Sequence, residues 1–269
     1  MSTASLAREL RRLKAHRAFQ RREVPLDRVE FAREVGLDPD PWQEELLSSP
    51  SKRILILASR QSGKSTVAAL VALHTALHKP RAMVLIVAPA QRQSIESFSK
   101  VLDAYRSLGR PVPPRSEQKM NLELDNGSRI VSLPGSEKTI RGFSGASLLI
   151  IDEAARIDEG LYYAVRPMLA VSGGALMMLS TPYGRRGVFY REWTKGESWH
   201  RFEVPADRVG RISPEFLAEE RRALPSRIYR QEYLCSFEES EDAVFSQEGI
   251  EAAFDNSIEP LWPELQDDY

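Results

Sequence analysis

Arg53-Ile54-Leu55-Ile56-Leu57-Ala58-Ser59-Arg60-Gln61-Ser62-Gly63-Lys64-Ser65-Thr66 runs from an unbroken apolar stretch into a loop of small residues. The apolar stretch is short and continuous, as a strand covered on both faces must be. Ser65 to His78, rich in Ala, Leu and Val, reads as a helix. The loop between them fits the phosphate-binding pattern G-x-x-x-x-G-K-[ST], with Ala58 standing where the leading glycine would be. Gly63 lets the backbone approach a phosphate, and N–H groups at the helix start cradle it. Lys64 is placed to reach β- and γ-phosphates, and Ser65 to offer its hydroxyl to Mg²⁺. Ser59, Arg60, Gln61, Ser62 and Thr66 complete this candidate nucleotide-binding set. The bland alternative is a Ser/Gly-rich surface loop holding a lysine by chance, which would need neither the strand before nor the helix after.

A second motif lies downstream. Leu148-Leu149-Ile150-Ile151 is another buried strand, and it runs into Asp152-Glu153. Acids at a strand's C-terminal end face the ligand crevice of an open α/β sheet. Asp152 suits an Mg²⁺ partner, and Glu153 suits the base that polarises an attacking water. Acids capping a helix after a strand are the plain alternative, and the phosphate-binding loop upstream weighs against it.

Between and around these motifs the chain alternates strand and helix. Met83 to Ala88 and Ala175 to Leu179 read as buried strands, and Gln91 to Leu108 and residues 158–170 as helices. Leu122 to Leu124 and Arg129 to Leu133 flank Asp125-Asn126-Gly127, a strong hairpin turn signal. Short helices fit Leu26 to Val35, ended by Gly36, and the segment opened by Pro41. Two more fit Pro214 to Leu224 and Ser226 to Cys235. The alternation predicts a mostly parallel central sheet flanked by helices. The expected organisation is an N-terminal helical arm over 1–36, a core over 37–209, a small helical lid over 210–237 and an acidic tail or linker over 238–269.

Composition sets outer limits. The 269 residues are 42% hydrophobic and 28% charged, which is globular rather than disordered. The net charge of −1 hides a strong polarity. Residues 1–22 carry seven bases and one acid, and residues 232–269 carry twelve acids and no base, which leaves a mildly basic body. Such a body tolerates polyanions, although solvated helix faces explain charge runs equally well. The single cysteine, Cys235, excludes a disulfide framework, and an intracellular setting is expected. No apolar run reaches the ~20 residues of a membrane helix, so no membrane partner is expected. His16, His74, His78 and His200 show no metal spacing.

The motifs together are similar to the ATPase domain of the large terminase subunit of tailed double-stranded DNA viruses. Arg60-Gln61-Ser62-Gly63-Lys64 resembles that family's Arg-Gln-x-Gly-Lys loop. Pro41-Trp42-Gln43 resembles its adenine-side motif, in which the glutamine reads the base; Trp42 is a weaker candidate, better suited to packing. Ile151-Asp152-Glu153-Ala154 resembles its acidic motif, and Ser180-Thr181-Pro182 its coupling motif, which links γ-phosphate state to movement. Thr139-Ile140-Arg141-Gly142 resembles the segment that supplies an arginine finger, and either Arg141 or Arg60 could fill that role. The resemblance spans roughly residues 40–235.

It implies an α/β P-loop NTPase of the ASCE type, with an added central strand and a catalytic glutamate. Glu153, Lys64, Arg141 and Arg60 would then be catalytic, with ATP as substrate and Mg²⁺ held by Ser65 and Asp152. It also implies double-stranded DNA, the portal protein, the small terminase subunit and a homo-oligomeric, pentameric ring as partners. The setting would be host cytoplasm, transiently on the procapsid portal. The family's nuclease domain is not expected in the 32 residues after Phe237, so no DNA cleavage is expected from this sequence. Two rivals remain: half of a two-lobed superfamily-2-like helicase whose second lobe comes from a partner, and a non-catalytic adaptor with a decayed loop.

Overall fold

The computed structural model describes residues 24–135 and 142–238. The expected basic helix over 5–22, the Thr139-Ile140-Arg141 segment and the tail from 239 onward lie outside the described residues.

Eight strands form one sheet in the order β3-β4-β5-β2-β6-β7-β1-β8. They are β1 (Arg53–Ala58), β2 (Met83–Ala88), β3 (Pro114–Gln118), β4 (Asn121–Leu124), β5 (Arg129–Pro134), β6 (Leu148–Asp152), β7 (Ala175–Ser180) and β8 (His200–Val204). Every pairing from β5 to β8 is parallel, while β3, β4 and β5 form an antiparallel meander whose β4–β5 turn contains Asn126-Gly127. The expected mostly parallel sheet is therefore present. β7 separates β1 from β6, so the phosphate-binding loop and the acidic strand are not adjacent, which is the added central strand expected above.

The described residues also form eight α-helices: α1 (Arg28–Val35), α2 (Pro41–Ser48), α3 (Lys64–His78), α4 (Gln91–Ser107), α5 (Glu159–Val165), α6 (Gly187–Thr194), α7 (Pro214–Ala223) and α8 (Ser226–Tyr233). The alternation of strand side chains assigns them to two cores. Ile54, Ile56, Val84, Ile86, Leu148, Ile150, Met177 and Leu179 face α1 to α4. Leu55, Leu57, Leu85, Val87, Leu149, Ile151, Leu176 and Met178 face α5 and α6. Both faces of the central strands are apolar because both are covered, and that is what the unbroken apolar runs record.

Local chemistry sets the element ends. Asp27 caps α1, its carboxylate accepting from Val29 and Glu30 N–H at 2.9 Å, and Gly36 ends the helix at φ +95°. The single helix expected over 158–170 is instead α5 followed by a 3₁₀ turn over Arg166–Leu169, because Pro167 cannot continue α-helical hydrogen bonding. No pattern in the sequence predicts β3, α6 or β8.

Candidate active site

The C-terminal ends of β1, β6 and β7 open into a cavity of about 840 Å³. Gly63 caps α3 at φ +85°, a conformation that suits glycine, and Gln61 in the loop lies at φ +60°. A Cβ on Gly63 would come within 2.8 Å of Gln43 Nε2 and 3.0 Å of Arg211 Nη2. The loop therefore sits tightly under two side chains from opposite ends of the sequence.

Lys64 is largely buried, and its Nζ lies 3.4 Å from Glu153 Oε1. Ser65 Oγ donates to Asp152 Oδ1 at 3.4 Å. Asp152 is 5% exposed, its Oδ2 accepts from Ser97 at 2.5 Å and its Oδ1 from the Glu153 N–H at 3.0 Å. Among the described residues no basic side chain pairs with this buried carboxylate, so its charge is met by hydrogen bonds alone. Glu153 sits at φ +52°, the left-handed region that few non-glycine residues occupy. The turn places its carboxylate at the cavity wall.

Gln43 is fully buried. Its Oε1 accepts from the Asp40 N–H at 3.0 Å, which fixes the side chain, while its Nε2 has no partner. A buried amide donor left open toward a cavity is costly unless a ligand accepts from it. Ser59 Oγ and Ser62 Oγ are buried and likewise unpartnered. Gln61 and Thr66 line the cavity, and so does Thr181; Ser180 instead accepts from the Ala155 N–H at 3.2 Å, tying β7 to the acidic turn.

Of the expected residues, Trp42 is placed elsewhere and Arg60 is held by an acid. Trp42 packs against the core rather than lining the cavity. Arg60 lines the cavity, but its guanidinium is ion-paired to Glu232 of α8, and its N–H donates to the Glu232 carbonyl at 3.2 Å.

Within the described residues the sequence-derived constellation of Gln43, the 59–66 loop, Asp152, Glu153 and Thr181 is thus one place. The family model described as "Terminase large subunit, T4likevirus-type, N-terminal" matches residues 55–252. The chain belongs to this large terminase family. The large terminase subunit of Thermus virus P23-45 is 28% identical over 79% of this chain and 51% of its own length. That of Escherichia phage T5 is 25% identical over 78% of this chain and 50% of its own. The chain spans about half the length of the curated relatives it matches. Among solved structures, the large terminase ATPase domain of Thermus phage P74-26 superposes with a TM-score of 0.69 at 23% identity, covering 78% of this chain and 98% of that one. The large terminase of a thermophilic bacteriophage, solved in complex with ADP, gives 0.63 at 13% identity over 74% of this chain and 54% of that one. These two superpositions establish the fold.

Two residues of this large terminase chain escaped the sequence reading. Arg211 donates to the Ser62 carbonyl at 2.7 Å and pairs with Asp40 at 2.8 Å, joining the loop to the Gln43 segment. Arg156 lies 3.9 Å from Glu153 Oε2, with its guanidinium 4.1 Å from the centre of the Tyr183 ring. Arg156 was legible in principle, three residues after Glu153 on a turn. Arg211 was not, since nothing local marks a residue that acts 149 positions away.

Proposed function

We propose that this chain is the ATP-hydrolysing motor region of a large terminase, using ATP to move double-stranded DNA into a procapsid. One observation carries the reading: Lys64, ion-paired with Glu153, and Ser65, hydrogen-bonded to the buried Asp152, line one cavity with the open amide of Gln43. A nucleoside triphosphate offers acceptors for each open donor. Its base would take the Gln43 amide, and its phosphates the loop N–H groups and Lys64.

Asp152 and Ser65 fit Mg²⁺: one buried carboxylate without a basic partner and one hydroxyl is a donor set that completes its shell with water and phosphate. When bound there, the ion neutralises charge developing on the phosphate oxygens. The protein groups do the rest. Lys64 exchanges Glu153 for the β- and γ-phosphates. That frees the Glu153 carboxylate to accept a proton from water. Ser97 keeps Asp152 in place throughout.

The finer assignments rest on the family. Of the two candidate fingers, Arg141 is the one proposed, since Arg60 would have to leave Glu232 to reach phosphate. Ser180 and Thr181 would couple nucleotide state to movement, the hydrogen bond from Ala155 to Ser180 supporting that role. The segment 210–237 would act as a lid over a core spanning 37–209, held by Arg211 and by the Arg60–Glu232 pair. The portal protein, the small terminase subunit and a pentameric ring in host cytoplasm complete the proposal. A helicase half is not favoured by these relatives.

ATP turnover and nucleotide binding in two variants test it. Glu153→Gln should keep ATP affinity and lose about 10²–10⁴-fold in turnover, the usual contribution of a general base. Lys64→Ala should lose affinity as well. Near-normal turnover in Glu153→Gln would refute the assignment.

A further inference from the structure

The opposite end of the sheet holds a second cavity, of about 310 Å³. It lies at the N-terminal ends of β1, β6 and β7, with a floor of Ile54, Leu148, Leu176 and Met177. Six-residue strands separate it by about 20 Å from the phosphate-binding loop, so it is no part of that site.

Its charged lining is Arg28, Lys52 and Lys79, and it contains no Asp or Glu. Eight arginines elsewhere are neutralised instead. Arg33, Arg60, Arg106, Arg110, Arg115, Arg191, Arg211 and Arg230 all pair with carboxylates. Arg28 is half-buried, and its polar contact is a 3.5 Å hydrogen bond to the Ser49 carbonyl. Lys52 donates to the Gly173 carbonyl at 3.1 Å. Neither interaction neutralises charge. Burial lowers the Arg28 pKa, and no carboxylate among the described residues pairs with it to offset desolvation.

The surroundings fix Arg28 rather than neutralise it. His74 Nε2 donates to the Leu26 carbonyl and His78 Nε2 to the Pro25 carbonyl, both at 2.9 Å, holding the turn that starts α1. Desolvation first, and the Arg28 charge among the lesser causes, lower both imidazole pKa values. Three lining hydroxyls are already engaged as donors, Ser51 to the Arg53, Thr75 to the Val71 and Ser172 to the Ala146 carbonyl. The open valence of the cavity is positive charge above an apolar floor.

We infer that this cavity binds a phosphate group, with Arg28 as its inner ligand and Lys52 and Lys79 at its mouth. A guanidinium held without a carboxylate favours an oxyanion over a neutral guest. Binding there is independent of ATP hydrolysis, so this inference stands or falls apart from the proposed function. The phosphate could be free or belong to a nucleic-acid backbone.

The test uses the full chain saturated with Mg²⁺ and ADP, so that the phosphate-binding loop is filled. Inorganic phosphate is titrated by calorimetry. One further phosphate should bind, weakened about tenfold or more in Arg28→Gln, the loss expected for one charge-assisted hydrogen bond. Arg28→Lys should retain most of the affinity. The exposed pair Lys52→Gln/Lys79→Gln should weaken binding without threatening the fold, and ATP turnover should stay within about twofold in all three, given the ~20 Å separation. Absence of a further phosphate in the wild-type protein, or affinity unchanged from wild type in both Arg28→Gln and the lysine pair, overturns the inference. A duplex DNA titration separates the sources. Lower affinity and a shallower salt dependence in the variants identify backbone phosphate, while unchanged DNA binding with weakened phosphate binding identifies the free ion.

Discussion

Glu153 occupies a left-handed backbone position and keeps two cations within reach, Lys64 at 3.4 Å and Arg156 at 3.9 Å. A non-glycine residue at such a position costs on the order of 1–3 kcal/mol and persists only where its surroundings over-determine it. Here the surroundings are the Asp152 carboxylate accepting the Glu153 N–H and the Ser180 hydroxyl accepting from Ala155. Arg156 adds the side-chain constraint, because Tyr183 holds its guanidinium by stacking. Tyr183 follows Thr181 by two residues, so Arg156 touches both Glu153 and the segment after β7. Arg156→Ala should therefore reduce kcat by about 10–100-fold while KM changes by less than about threefold, the pattern of lost positioning rather than lost binding. Tyr183→Leu should reproduce part of that loss without removing any charge. Steady-state ATP kinetics on both variants decide it, and an unchanged kcat in Arg156→Ala removes the residue from the site.

At the scale of elements, what was legible in the sequence is what burial dictates. RILILA, MVLIVA, LLIID and ALMMLS are covered on both faces, and their continuous apolar runs show it. β3 is Pro-Arg-Ser-Glu-Gln at one sheet edge and β8 is His-Arg-Phe-Glu-Val at the other, and no buried run marks either. Their strand character comes from pairing with a finished neighbour, which no local pattern reports. α6 buries only Val188 and Phe189, too few to announce a helix. The active site was legible because phosphate chemistry demands a fixed local pattern, while Arg211 serves through tertiary contact alone. Contact between α1 and α3 makes a further prediction. His74 is held near a pKa of about 4, mainly by burial, with His78 and Arg28 adding repulsion. Its folded value lies below the unfolded 6.5, so the unfolded chain binds more protons between these limits. Stability is then fully present above about pH 6.5 and is lost as pH falls toward 4, by on the order of 2–3 kcal/mol. Thermal melts from pH 7.5 to 4.5 should show this slope. His74→Gln, which can still donate to the Leu26 carbonyl, should flatten it, and an equal slope in that variant would assign the acid sensitivity to other groups.

For the whole molecule, the decisive matter is whether one chain completes its own site. Each arginine lining the described cavity is engaged: Arg60 with Glu232, Arg211 with Asp40 and the Ser62 carbonyl, Arg156 with Glu153 and Tyr183. None of these three is free to meet the transferring phosphoryl group without first giving up a partner. An arginine from outside that set, such as Arg141 of a neighbouring copy, meets the need at no such cost, and a head-to-tail ring would supply one per interface. ATP turnover per molecule should then rise with protein concentration rather than stay constant. Mixing variants sharpens the expectation. Arg141→Ala and Glu153→Gln should each be inactive alone. In an equal mixture, an Arg141→Ala chain keeps its own Glu153 and can borrow Arg141 from a Glu153→Gln neighbour, so about a quarter of the interfaces in a randomly assembled ring become complete. Recovery to about that fraction of wild-type turnover places the arginine in trans. If the mixture stays inactive and the wild-type rate per molecule is independent of concentration, the phosphoryl group is met within the chain: by Arg141 of the same chain where Arg141→Ala is inactive alone, and otherwise by Arg60, Arg156 or Arg211 giving up its partner in each turnover.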